Sequence, residues 1–169
     1  MAGVITALTA LLTILSQTGV IGRNSTPTPT PAPVTTKASD DRWIAEATSV
    51  CTQADSMLNS LQSEVDQRRP WAEVVARIAA IYRAMDMDLR NVSAPTEARQ
   101  RIQLMTGAWD QAAGEYEHAA TDYAGGNAAQ VPDDLQRATE ANARGNQVAD
   151  DLNLSPCASA GAGLSFGVY

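Results

Sequence analysis

Thr26-Pro27-Thr28-Pro29-Thr30-Pro31-Ala32-Pro33 divides the chain into two parts of opposite character. Alternating proline fixes φ and removes every second backbone donor, so neither helix nor sheet can propagate through the run. The stretch favours an extended polyproline II rod, at ~3.1 Å per residue and hence roughly 25 Å long. Before it the chain is apolar and almost uncharged; after it the chain is charged, alanine-rich and periodic at helical spacing. This pattern predicts a stiff, hydrated spacer between a membrane anchor and a water-facing helical domain.

From Ala2 to Ile21 no charged side chain occurs. About twenty helical residues rise ~30 Å, enough to cross a hydrocarbon core. We read residues 1–22 as a retained transmembrane helix rather than a cleaved leader. The segment has no basic residue ahead of its apolar run, and no Ala-x-Ala site closes it. Within it, Thr6, Ala10, Thr13 and Gln17 recur at spacings of 4, 3 and 4, a stripe of small or hydrogen-bonding side chains. In lipid such a stripe packs against another helix, while Ile5, Leu8, Leu12 and Leu15 on the other side suit acyl chains. The expected partners are therefore a membrane protein and the bilayer itself.

Orientation rests on two opposed signals. Arg23 follows the span and favours the cytoplasm by the positive-inside tendency. Two cysteines, Cys51 and Cys157, and the Thr/Pro spacer favour the outside, where disulfides persist. A single arginine is the weaker argument, so the domain is expected on the extracytoplasmic side.

A net charge of −7, from 12 basic and 19 acidic residues, argues against a nucleic-acid partner, which requires a basic face. Residues 23–39 form the linker, 40–157 the domain, and 158–169 a tail that packs on it. Four amphipathic segments fill the domain. The first, Asp40 to Arg69, turns Trp43, Ala47, Val50, Ala54, Leu58, Leu61 and Val65 inward at spacings of three and four. The second runs from Pro70 to Val92 and the third from about Pro95 to Tyr123, where Gly125-Gly126-Asn127 stops it. The fourth, Pro132 to Leu152, has small inward residues including Gly145, with Asn153 placed as a left-handed cap, Leu154 folding back and Pro156 preventing continuation. Short connections make neighbours antiparallel, so the expectation is an all-α, up-down-up-down four-helix bundle behind the N-terminal transmembrane helix and linker.

That topology brings the start of the first helix and the end of the fourth to one end, and with them Cys51 and Cys157, the only two cysteines. A disulfide between them is expected. The tail then becomes available to cover Trp43 and Ile44, with Phe166 as its anchor.

The remaining constellations carry little chemistry. Glu115-x-x-His118 matches half of the motif that di-iron bundles use twice, but His118 is the only histidine and lies toward a flank. Its simplest contact is Asp122, one turn on. Met85 and Met105 fall on core stripes and Met57 beside one, where methionine fills gaps; Met87 alone looks exposed. No nucleophile–base pair, cofactor motif or calcium-loop spacing occurs in the sequence, so no catalytic, cofactor or metal residue is expected. A ligand pocket between helices three and four, lined by Met105, Trp109 and Tyr116, is the alternative to an interaction role.

The Thr/Pro spacer at Thr26–Pro33, the alanine-rich last helix and its ending Asp151-Leu-Asn-Leu-Ser-Pro-Cys157 resemble small exported or membrane-anchored helical proteins of actinobacteria. The resemblance implies an envelope location and nothing catalytic. Together these readings point to a non-enzymatic accessory protein that docks a larger membrane complex.

Overall fold

The computed structural model describes residues 36–66 and 70–166. The expected membrane-packing face at Thr6, Ala10, Thr13 and Gln17, and the Thr/Pro rod, lie outside them. Among the described residues every regular element is helical: α1 (Thr36–Asp66), α2 (Trp71–Asn91), α3 (Thr96–Ala124), α4 (Val131–Asp151) and the one-turn α5 (Ser155–Ala158). No described helix is long and apolar enough to cross a membrane.

Helix α1 begins four residues earlier than Asp40, so Asp40 and Asp41 stand one turn inside it rather than at its N-terminus. Pro70 and Pro95 sit at the N-cap of α2 and α3, one position ahead of the first-turn placement expected. Proline suits this site because only its carbonyl is used: Pro70 O accepts from Val74 N at 3.2 Å and Pro95 O from Arg99 N at 3.1 Å. Glu73 and Glu97 follow in the first turns, where a negative charge faces the positive end of the helix dipole.

Both later helices stop by the same device. Gly126 has φ 81° and Asn153 has φ 58°. Asn127 N reaches back to Asp122 O at 2.8 Å, and Leu154 N to Ala149 O at 2.9 Å, closing Schellman turns that satisfy carbonyls the helix leaves open. Leu154 is fully buried, which fixes the exit direction of the chain after α4.

Cross-helix pairs show each neighbour antiparallel to the last. Arg77 of α2 meets Glu64 near the end of α1. The Trp71 and Tyr123 rings lie 4.8 Å apart, joining the start of α2 to the end of α3. Arg101 and Asp151 do the same for the start of α3 and the end of α4, at 2.8 Å. The two surface ion pairs mark register, and each contributes only about 0–1 kcal/mol. Stability comes from the buried stripes, where Leu58, Ile78, Met105 and Trp109 have no exposed surface. Full burial of such side chains contributes about 1.5–3 kcal/mol apiece.

Closure of the bundle differs from the simple four-helix expectation. Helix α1 makes no close backbone contact with α4; α5 packs on both instead. The chain after α4 thus occupies the groove between the first and last helices. Cys51 and Cys157, both fully buried, form a disulfide with their Cα atoms 4.9 Å apart, joining α1 to α5.

The tail does not turn back over Trp43. Gln62 and Ser165 exchange two hydrogen bonds, with Gln62 Nε2 donating to Ser165 O at 3.2 Å and Ser165 N to Gln62 Oε1 at 3.0 Å. Phe166 lies 5.7 Å from the Tyr116 ring and 6.3 Å from Trp71, far along α1 from Trp43. The reason is the direction set at Cys157. Leu154 and the bridge launch the chain toward the C-terminal half of α1, where Tyr116 and Trp71 leave an aromatic recess that phenylalanine fills. Trp43 is buried at the opposite end without it.

Candidate functional site

Met105, Trp109 and Tyr116 are core residues, each at most 2% exposed, rather than the wall of an open pocket. Gly145 of α4 presses its backbone on the indole: a Cβ built on it falls 2.4 Å from Trp109 Nε1. The small inward residues of α4 therefore do what their size suggests, admitting the Trp109 ring, but the contact leaves no room for a ligand there. Tyr116 is likewise occupied, stacked on Tyr82 at 5.9 Å and against Phe166. This close packing corrects the expected pocket between helices three and four.

At the centre of the contact is a polar cluster that the sequence reading missed. The Ala160 carbonyl of the tail accepts from Tyr82 Oη at 3.3 Å, Asn142 Nδ2 at 3.2 Å and Asn146 Nδ2 at 3.3 Å. Asn146 Oδ1 in turn accepts from Trp109 Nε1 at 3.1 Å. One backbone oxygen thus links α2, α4 and, through Asn146, α3. A carbonyl has two lone pairs, so three donors saturate it. Burial pushes both phenols up, Tyr116 to about 12, and for Tyr82 the nearby Tyr116 and Asp55 add to the rise. The pair Asn142 and Asn146, one turn apart among the inward Ala138, Ala141, Gly145 and Ala149, was the available signal, since buried amides need partners.

A second buried polar group lies at the other end of α4. The Asp134 side chain is 5% exposed; its Oδ1 accepts from Arg137, whose Nε also holds Glu115 at 2.8 Å. Asp134 Oδ2 has no hydrogen-bond partner among the described atoms. Burial pushes this carboxyl above its usual range, Arg137 opposes the rise, and Asp122 and Glu115 reinforce it. A carboxyl raised in the fold is stabilising when protonated. Its contribution is full below the ordinary carboxylate range and is lost as pH rises through the raised value. Asp134→Asn keeps an oxygen for Arg137 and offers Asp122 a donor. We expect it to stabilise the domain by about 1 kcal/mol at neutral pH and much less in acid, read from urea melts at both pH values. Equal effects at both would remove the assigned charge penalty.

His118 is on the surface, 70% exposed, as its flanking position implies. Its Nδ1 lies 3.8 Å from Glu115 Oε2 rather than against Asp122, because Glu115 one turn back leans across the helix toward Arg137. Among the described residues no group of three or more His, Cys, Asp or Glu side chains could hold a metal ion. Met85 and Met105 are core, as expected, and Met87 is exposed; Met57 is 46% exposed and lines a surface groove with Ala80 and Ala84 of α2.

No family model, curated protein or solved structure matches this chain.

Proposed function

We propose that the protein is a non-enzymatic, membrane-anchored accessory subunit of a bacterial cell envelope. Residues 1–22 anchor it, the Thr/Pro linker sets its distance, and the bundle stands on the extracytoplasmic side. The observation that carries the reading is the Cys51–Cys157 bridge. It joins elements 106 residues apart and is buried on both sides, an arrangement suited to an oxidising compartment. The interior supports an interaction role, since its centre is filled by Trp109, Tyr116 and the tail, leaving the outer surface to meet partners. In this reading Thr6, Ala10, Thr13 and Gln17 dock the anchor against a helix of a larger membrane complex.

The test is co-purification of the full chain after mild detergent extraction, alongside a variant with Ala10→Leu and Thr13→Leu. Docking predicts a stable membrane partner that the variant loses while remaining in the membrane. A lone monomer in both cases sinks the docking role.

A further inference from the structure

Where α2 hands over to α3 the surface carries a cleft of about 560 Å³, within the range of small-ligand sites. Its apolar floor is half-buried Val92 set over the nearly covered Leu89 and Ile102, and its rim carries Arg90, Ser93, Arg99 and Gln103. No Asp or Glu lines it. In a chain of net charge −7, a cleft whose only charged lining groups are two arginines is set apart by sign.

The two guanidinium groups are held differently. Arg90 Nε donates to Asp86 Oδ1 at 2.8 Å, so its charge is largely balanced while its position is fixed. Arg99 Nε donates to the Ala94 carbonyl at 3.2 Å, which lays its guanidinium over the turn. Arg99 has no ion pair among the described residues. Its terminal N–H groups form a fork that matches the two oxygens of a carboxylate or phosphate. Ser93 and Gln103 beside it supply a hydroxyl and an amide for the remaining oxygens.

We infer that this cleft binds a small amphiphilic anion, a carboxylate or phosphate monoester on a short apolar chain, with Arg99 as the principal anchor of the head group. The chain lies against Val92 at the mouth of the cleft. The same chemistry occurs in a free metabolite and in an acidic lipid. The inference does not depend on membrane anchoring.

The test uses the full chain with phosphatidylcholine vesicles, and saturation-transfer NMR of hexanoate, hexyl phosphate, hexylamine and hexanol against empty vesicles. The expected result is binding of the two anions but not the amine. Arg99→Ala should weaken that binding by about tenfold or more, and Arg99→Lys by less. Gln103→Glu, which adds a carboxylate on an exposed rim position, should abolish anion binding with an unchanged melting temperature. Adding phosphatidylglycerol distinguishes the sources: competition with hexanoate assigns the site to lipid, and no competition assigns it to a soluble anion. Equal signals from hexanoate, hexanol and hexylamine, or anion binding indifferent to Arg99→Ala, would overturn the inference. Flotation of the chain with the vesicles reports anchoring separately.

Discussion

Replacing both Cys51 and Cys157 by alanine is expected to destabilise the domain by as much as ~4.7 kcal/mol, the chain-entropy value for a loop of about 100 residues. For a domain of this size that is a fall in melting temperature of roughly 10–20 °C. Alanine is the right replacement because both sites are fully buried and a serine hydroxyl there would need a partner. The effect should exceed simple cross-link loss in one respect. The bridge joins α1 to α5 and sets where the tail starts, and the tail stands in for direct packing of α1 on α4. Without it, α1 is held chiefly by α2, and hydrogen exchange should rise first in α1 and in the tail. Urea melts of the oxidised protein and the double variant measure the first part. A loss below about 1 kcal/mol would mean that the remaining tail contacts hold α1 unaided.

Gly161→Ala should have the second largest effect. Gly161 has φ 69°, a left-handed conformation that costs a residue with a Cβ about 1–2 kcal/mol. The new Cβ would also fall 2.0 Å from Tyr82 Oη, in a packed interior where overfilling costs about 1–3 kcal/mol. The summed expectation is about 2–5 kcal/mol. The clash has a specific cure, because the next Tyr82 atom, Cζ, is 3.2 Å away. Tyr82→Phe alone removes a donor from the Ala160 carbonyl, which Asn142 and Asn146 still satisfy. In combination with Gly161→Ala it should recover much of the loss, giving strongly non-additive energies in a double-mutant cycle. Additive energies would show that backbone strain, not collision with the phenol, dominates.

The helices were legible because their signals are local. Apolar residues at spacings of three and four identified the inward stripes, and Trp43, Ala47, Ala54, Leu58, Leu61, Met85 and Met105 are buried where that periodicity puts them. Asn153 was readable as a cap because few residues other than glycine accept a positive φ. The pairing of Cys51 with Cys157 followed from antiparallel order and the count of two. Tyr82 has no exposed surface and was missed because it stands beside the inward stripe of α2 that carries Met85, on a face closed by Tyr116 of α3 as well as by the tail.

The tail itself was the hardest part to read. Residues 158–166 are mostly Gly, Ala and Ser, a composition that reads as loop. Their contribution is a backbone carbonyl at Ala160 and a left-handed glycine at 161, neither of which leaves a periodic trace. Phe166 was recognised as an anchor but assigned to Trp43, since the sequence gives no sign of which way the chain leaves Cys157. The expected pocket failed for a related reason. Aromatic and small residues on facing helices are equally consistent with a cavity and with a ring seated on a glycine, and only the Gly145–Trp109 distance separates the two.

Thiol labelling of the membrane fraction from intact cells, with a bulky maleimide before and after reduction, tests the central claim most directly. An anchored bundle folded in an oxidising compartment predicts that the full chain sediments with membranes and resists carbonate extraction. It also predicts no labelling until reductant is added, and then two labels. Recovery in the soluble fraction with both Cys51 and Cys157 labelled before reduction would contradict it.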